Sequence, residues 1–144
     1  MINSRRLYDL HPIVATKCAA HIKACSEAGI DIILTSTYRD FESQDALYAQ
    51  GRTAPGRIVT NAKGGQSYHN YKVAYDVVPL RNGKPVWDSE DPVWKQVGEL
   101  GKQAGLDWAG DWKRFKEFPH FQFTGGLTIA DFQKGMILPS FNHQ

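Results

Sequence analysis

A run of β-branched residues directly after a helical pattern constrains the fold of this chain most. From His11 to Gly29 the apolar residues recur at intervals of three and four, the period of an amphipathic helix, and Gly29 suits its C-terminal cap. Residues 30–39 (IDIILTSTYR) are rich in β-branched side chains and too few for a typical helix, so they predict a buried strand. A helix packed against a sheet is therefore the first expected unit.

A second helix is predicted over residues 41–50, because Asp40 is a good N-cap and Gly51 a stop. Its predicted inward face consists of Phe41, Gln44, Leu47 and Tyr48. The following residues, 51–68, are polar and rich in glycine and proline. A connection of this length is usually functional or disordered.

The later elements follow the same rules. The strands predicted from their residue types and alternation are 73–80, 84–87 and 120–123, the first two joined by a hairpin turn at Asn82-Gly83. A third helix is predicted from Asp91-Pro92 to Gly105, a small one over 128–134, and a loose tail after Pro139. The predicted fold class is α+β, with a small, mainly antiparallel sheet flanked by about three helices in one domain spanning residues 1–144.

Composition excludes several classes of protein. The chain of 144 residues is 42% hydrophobic and 22% charged, with a formal net charge of +2, too small to indicate nucleic acid. No apolar run approaches the roughly 20 residues that span a bilayer, and the charged N-terminus lacks the pattern of a secretory signal. We expect a monomer that does not insert into a membrane.

The two cysteines predict core thiols. Cys18 and Cys25 lie on the first predicted helix, where their Cα atoms would be about 10 Å apart, too far for a disulfide. Free thiols suit synthesis in a reducing compartment such as the cytoplasm.

Three segments concentrate polar groups that a fold alone does not require: STYR (36–39), SYHNYKVAYD (67–76) and EFPHFQF (117–123). The connection ends near Tyr71, so His69 can turn back toward Asp76. His120 and Gln122 share one face of their strand, and Pro119 lets Glu117 come round beside His120. These segments can therefore meet at one site.

Two imidazoles and one carboxylate suit catalytic zinc, which keeps a fourth position for water. We expect His69, Asp76 and His120 to hold the metal and Glu117 to act as general base. Arg39 can hold a substrate carboxylate or stabilise the developing oxyanion.

Each candidate also has a purely structural interpretation. Glu117 can be a surface carboxylate and Arg39 an ordinary ion-pair partner. Gln44 can be a core tie, and Ser67 a turn or capping residue. Two tryptophans, Trp108 and Trp112, can either pack in the core or line a sugar-binding groove. We favour core packing because of their size.

The pattern SxHxxxxAxD over 67–76, followed by ExxH over 117–120, resembles the D-alanyl-D-alanine carboxypeptidase-like M15 zinc peptidases. The stretches LYAQGRTAPGRIVTNAKGGQSYHNY and GDWKRFKEFPHF are more narrowly similar to the L-alanyl-D-glutamate peptidases of phage endolysins and their bacterial relatives. The resemblance covers roughly residues 30–123 and implies a D-Ala-D-Ala carboxypeptidase/hedgehog-like fold.

The resemblance also implies roles for single residues. The implied zinc ligands are His69, Asp76 and His120, and the implied catalytic acid/base is Glu117. The implied polar substrate contacts are Arg39, Gln44 and Ser67. The implied reaction is hydrolysis of the L-Ala–D-Glu bond of the peptidoglycan stem peptide, by an endolysin made in the host cytoplasm and acting on the wall after release. No separate wall-binding domain is expected.

Two alternatives stay open at this point. A D-Ala-D-Ala carboxypeptidase would use Arg39 to hold a terminal carboxylate. A non-catalytic module would bind zinc or a wall peptide without turnover. One departure bears on all three functions: Lys72 stands where the family usually has glycine. If glycine is required there for a positive φ, lysine costs about 1 kcal/mol or more.

Overall fold

The computed structural model describes residues 1–139. The helices are α1 (Pro12–Glu27), α2 (Phe41–Ala49), α3 (Val93–Gln103) and α4 (Ile129–Gln133). The strands are β1 (Asp31–Ser36), β2 (Ala74–Arg81), β3 (Lys84–Pro85), β4 (Asp107–Trp108) and β5 (His120–Gln122). Short 3-10 helices cover Leu7–Asp9, Tyr68–Tyr71 and Ala109–Asp111. The predicted loose tail lies outside the described residues.

The sheet is entirely antiparallel in the described part of the chain. Its order is β1-β2-β5-β4, with the short β3 paired to the end of β2. The central strands are therefore β2 and β5, and the predicted α+β fold with a small antiparallel sheet is confirmed. Within residues 1–139, no helix combines the length and the apolar character needed to cross a bilayer.

Helix α1 packs one face into the core. Pro12 takes the first helical position, where its missing N–H removes no bond, and the His11 ring accepts from the Ile13 N–H at 3.2 Å. Cys18 and Cys25 are fully buried and unpaired. Burial raises the pKa of Cys18 to about 12 and that of Cys25 to about 11. Both thiols are therefore neutral, and their predicted core role is confirmed.

Helix α2 begins as predicted, because Asp40 Oδ1 accepts from the Ser43 N–H at 2.8 Å. Gln44 is fully buried, also as predicted. The inward position predicted for Phe41 is wrong: its side chain is 50% exposed. As the first helical residue it lies at the surface, where its ring contacts the edge of the Tyr71 ring at 5.9 Å between centroids, and Ser43 takes a buried position instead.

Two glycines allow helix α3 to approach the sheet closely. A Cβ at Gly98 would overlap the Trp108 ring, and one at Gly101 would lie 2.5 Å from the Phe121 ring. Trp108 is buried against this helix, and its indole N–H donates to the Phe118 carbonyl at 2.8 Å. Its predicted core role is confirmed.

The connection between α2 and the 3-10 helix at Tyr68–Tyr71 is tied down by its own hydrogen bonds. The Arg52 guanidinium donates to the Tyr48 carbonyl at 2.7 Å, the Thr60 carbonyl at 3.0 Å and the Asn61 side chain at 3.0 Å. Three bonds from one side chain join the end of α2 and the start of this connection to its middle. It therefore forms a defined wall beside the sheet.

Lys72 ends the 3-10 helix in the left-handed conformation, with φ 65°. This angle is the physical reason for a glycine at this position, since a Cβ is strained there. The lysine ammonium lies 4.9 Å from the centroid of the Tyr38 ring, a cation–π contact that offsets part of the strain.

Replacing Lys72 by glycine should stabilise the fold. The left-handed backbone is strained by about 1 kcal/mol with a Cβ and is unstrained without one. The free energy of unfolding should therefore rise in urea denaturation, by less than about 1 kcal/mol because the contact with Tyr38 is lost as well. Lys72→Ala is the control, because it keeps the strain and loses only the contact with Tyr38. A Lys72→Gly variant no more stable than the parent would contradict this account.

Candidate metal centre

His69 enters the site from the 3-10 helix that precedes β2. The Ser67 hydroxyl oxygen caps this turn by accepting from the His69 N–H at 3.2 Å. His69 Nδ1 lies 2.9 Å from the Thr37 carbonyl oxygen. Because a carbonyl only accepts, Nδ1 carries a proton, which leaves Nε2 as the nitrogen available to a metal. That Nε2 lies 3.3 Å from Asp76 Oδ1.

Asp76 and His120 are brought together by strand register. They are direct partners across β2 and β5, and His120 Nδ1 lies 3.1 Å from Asp76 Oδ1. The other ring nitrogen, Nε2, lies 2.8 Å from Gln122 Oε1, two residues along the same face. Donation from Nε2 to this amide oxygen leaves Nδ1 as the nitrogen that faces Asp76. Each of the two imidazoles therefore directs one ring nitrogen at the same carboxylate.

The charges in this cluster support each other. Burial alone would raise the pKa of Asp76, but His69 and, after it, His120 outweigh burial and hold this pKa well below its ordinary value. Burial lowers the pKa of His120, but the hydrogen bond and the charge of Asp76 more than offset that effect and raise it. The carboxylate is therefore ionised at neutral pH, which a metal ligand requires.

The three side chains form a donor set that fits zinc. One ligand atom from each of His69, Asp76 and His120 lies within 4.8 Å of the other two. Two imidazole nitrogens and one carboxylate oxygen are ordinary zinc ligands, and three protein ligands leave the fourth tetrahedral position open. The predicted convergence of these residues is confirmed, and the donor chemistry is that of a catalytic site, since structural sites are closed by four ligands.

The centre lies in an open cleft of about 750 Å³. The cleft is lined by the connection after α2, including Ile58 and Val59. It is also lined by Trp112, Phe115 and Glu117, which belong to residues 112–117, the segment that leads into β5 and that we call the 112–117 segment. Both walls are irregular structure carried by a regular sheet, an arrangement typical of binding sites.

Glu117 lines the same cleft from the 112–117 segment. The His120 N–H lies 3.4 Å from the Glu117 carbonyl oxygen, and this turn around Pro119 brings the two residues together, as predicted. In residues 1–139 the Glu117 carboxylate forms no ion pair. Its charge contributes to the raised pKa of His120. The carboxylate is available to accept a proton.

Arg39 is held at the cleft by two hydrogen bonds. Its guanidinium donates to Gln44 Oε1 at 2.8 Å and to Ser36 Oγ at 3.0 Å. The Gln44 amide in turn donates to the Ala62 carbonyl at 2.9 Å. Burial lowers the pKa of Arg39, and the charge of Asp76 acts against that effect. Gln44 therefore ties the arginine to the cleft wall, and its own side chain is fully buried.

Ser67 and Trp112 also line the cleft. Ser67 has the capping role described above, and contact with substrate stays a prediction for this residue. Core packing is wrong for Trp112: its half-buried ring lies 5.7 Å from the His120 ring, between centroids, on the cleft wall. The residue follows a 3-10 helix instead of a strand, so its side chain turns toward the site.

The part of the chain that holds these side chains is similar to known peptidases. A family model described as D-alanyl-D-alanine carboxypeptidase matches residues 60–123, which include the three metal-binding candidates and Glu117. Over 122 residues the chain is 45% identical to the peptidoglycan L-alanyl-D-glutamate endopeptidase CwlK of Bacillus subtilis (strain 168), covering 79% of this chain and 73% of that protein. The chain belongs to the M15 peptidase family.

Two further proteins extend this comparison. The L-alanyl-D-glutamate peptidase of Listeria phage A118 is 32% identical over 138 residues, which cover 92% of this chain and 46% of that protein. A zinc(II) complex of a mutant of the vancomycin-resistance D,D-pentapeptidase VanY superposes with a TM-score of 0.59 at 16% identity, covering 86% of this chain and 83% of that one. The structural likeness shows a shared fold, as the sequence resemblance predicts for an M15 peptidase.

Two groups beside the metal-binding candidates of this M15 family member have no role in the sequence-based prediction. These are the Thr37 carbonyl behind His69 and the Gln122 amide behind His120. Gln122 has a sequence signal, because it lies two residues after a ligand on a strand. The Thr37 carbonyl has none, since every residue has a carbonyl and only folding selects one.

Gln122→Leu should weaken zinc binding by about tenfold. The substitution removes the acceptor that fixes the His120 tautomer, and loss of such a partner typically costs 10- to 100-fold in metal affinity. Zinc affinity is measured by competition with a chromogenic chelator. Gln66→Leu is the matched control, because Gln66 lines the same cleft but bonds to Lys63. Equal affinities of the Gln122→Leu variant and the parent would refute this role.

Proposed function

We propose that this M15 family member is a zinc-dependent endopeptidase that hydrolyses the L-Ala–D-Glu bond of peptidoglycan stem peptides. The observation that carries the proposal is the three-donor centre of His69, Asp76 and His120 with Glu117 beside it in one open cleft. The choice of bond is supported by the names of the Bacillus subtilis and Listeria phage relatives.

A zinc ion would be held by His69 Nε2, His120 Nδ1 and Asp76. It would supply Lewis acidity, which lowers the pKa of water from 15.7 to about 7. The Thr37 carbonyl and Gln122 keep each imidazole in the tautomer that has its lone pair toward the centre. Each imidazole therefore directs the nitrogen that would bind the metal at the centre, beside the ionised Asp76.

Glu117 is the general base and then the general acid. Its unpaired carboxylate takes a proton from the attacking water and delivers it to the amine that leaves when the peptide bond breaks. One carboxylate can serve both steps because it faces the same cleft throughout. Proton transfer of this kind contributes typically 10²- to 10⁴-fold to the rate.

Arg39 supplies a fixed positive charge at the cleft. It stabilises negative charge that develops on the substrate carbonyl, which is worth more in a partly buried site than in water. Gln44 is a positioning residue in this proposal, since both ends of its amide are already bonded to protein. Ser67 contacts the substrate only if its hydroxyl proton is free to donate, because its oxygen already caps the turn.

We place this reaction in bacteriolysis, as an endolysin that is made in the host cytoplasm and reaches the cell wall after release. The phage relative supports this setting. The proposed partner is the stem peptide itself, and the proposed catalytic unit is residues 1–144, acting as a monomer.

Incubation with purified peptidoglycan should release new amino termini that depend on zinc. A chelator should abolish release, and added zinc should restore it, because the attacking water is activated by the metal. Mass spectrometry of the fragments should locate the cut between L-Ala and D-Glu. Loss of a terminal D-alanine instead would support a D,D-carboxypeptidase, and cleavage that ignores chelation would exclude the mechanism.

Glu117→Gln should lower turnover by at least 100-fold, because the amide cannot accept the proton. Zinc should remain bound, because Glu117 is not one of the proposed metal ligands. Metal content and kcat are measured on the same preparation. Glu99→Gln is the control, because Glu99 is exposed on α3 and pairs with Lys102. Full activity of the Glu117→Gln variant would show that another group is the base; no activity in the parent would support a binding module.

A further inference from the structure

The 112–117 segment carries three positive charges, which lie in the sequence between its cleft-lining residues Trp112, Phe115 and Glu117. Lys113, Arg114 and Lys116 are all exposed. Within residues 1–139 none of them forms an ion pair, whereas Lys102 and Arg81 each pair with an aspartate. Cations that the fold leaves unpaired beside a catalytic cleft are available to a ligand.

Phe115, in the middle of these cations, faces the cleft in a strained conformation. Its side chain is 73% exposed and lines the cleft, and its φ is 55°, in the left-handed region that bulky residues avoid. The Arg114 guanidinium lies 6.0 Å from the centroid of the Phe115 ring. Strain and an exposed aromatic ring together indicate a surface shaped for binding. Arg114 is the cation most closely tied to the cleft.

The opposite wall favours the same kind of ligand. Between Asp45 and Asp76 the sequence contains no acidic residue. The cations in this interval are Arg52, Arg57, Lys63 and Lys72. Ile58 and Val59 are exposed on this wall and line the cleft. The connection therefore contributes apolar surface to the cleft, and the interval that contains it carries positive charge without a carboxylate, which favours an anionic peptide.

The proposed substrate carries an anion next to the bond that is cut. Glutamate has two carboxyl groups, its amine lies in the L-Ala–D-Glu bond, and the peptide continues through only one carboxyl. The second carboxyl is therefore a carboxylate or a primary amide within a few atoms of the scissile bond. A cationic cleft edge can distinguish these two forms, because only the carboxylate pairs with a guanidinium.

We infer that the 112–117 segment binds this second carboxyl, with Arg114 as the principal contact and Lys113 and Lys116 in support. The enzyme therefore prefers stem peptides in which this carboxyl is a free carboxylate. The inference rests on the proposed function and adds a specificity to it. Arg39 lies deeper, tied to Gln44 and Ser36, and remains assigned to the reacting carbonyl.

The test uses two soluble stem peptides that differ only in whether this glutamyl carboxyl is a carboxylate or a primary amide. The parent enzyme should cleave the carboxylate peptide with a kcat/KM about fivefold higher, the value of one favourable exposed ion pair. The difference should lie in KM, with kcat similar, and should shrink as salt is raised.

The variant combines Lys113→Gln, Arg114→Gln and Lys116→Gln. It should cleave both peptides equally, at the rate at which the parent cleaves the amide. The matched control combines Lys23→Gln, Lys84→Gln and Lys95→Gln. These substitutions remove the same net charge, and the three lysines are exposed and lie outside the metal-binding cleft. The control should keep the parent's preference. Arg114→Lys keeps the positive charge but cannot form a bidentate hydrogen bond to a carboxylate, so this variant should lose part of the preference.

Three results would overturn the inference. The first is that the parent shows no preference, and the second is that the variant keeps the preference. The third is that the variant slows cleavage of both peptides by the same factor, because the cations would then attract any peptide without recognising the second carboxyl. A distinct result, in which the parent cuts neither peptide between alanine and glutamate, would remove the proposed function and this inference with it. Thermal unfolding and zinc content show that variant and control are folded and loaded.

Discussion

The Asp76 carboxylate, shared by two imidazoles, is the interaction on which the rest of the site depends. It sits on a central strand, directly opposite His120, while His69 reaches it from the turn that precedes the same strand. A buried carboxylate would be costly without these partners. Held between them, it is ionised and fixes the spacing of the three ligand atoms. The cluster therefore has the geometry of a metal site as a property of the fold.

Around this cluster the molecule divides its tasks between regular and irregular structure. The metal-binding candidates stand on β2, β5 and a capped turn, so their positions follow from backbone hydrogen bonds that are hard to deform. The cleft walls are the connection after α2, which is held by the hydrogen bonds of Arg52, and the 112–117 segment, whose cations are exposed and unpaired within residues 1–139. A rigid sheet suits chemistry that tolerates little displacement, and loops suit the recognition of a flexible peptide.

Much of the fold follows from local pattern. The period of three to four in α1, the Asp40 cap of α2 and the Asn82-Gly83 turn all occur where the sequence predicts them. The predicted burial of Phe41 and Trp112 is wrong, because the prediction used only their hydrophobicity. It did not include that Phe41 begins a helix and that Trp112 follows a 3-10 helix. Lys72 shows the converse: the family's glycine predicts a left-handed position, and the chain adopts it with a side chain present.

The sequence alone determined the residue types of a zinc site, their order along the chain and the family to which they belong, because ligand chemistry and motif spacing are written in single residues. Only the tertiary structure decided which atoms of those residues meet. The orientation of His69 depends on the Thr37 carbonyl just after β1, the meeting of His120 with Asp76 depends on the register of two strands, and the charge of the 112–117 segment depends on which cations find no partner. These are relations between distant segments, and a one-dimensional pattern contains no distances.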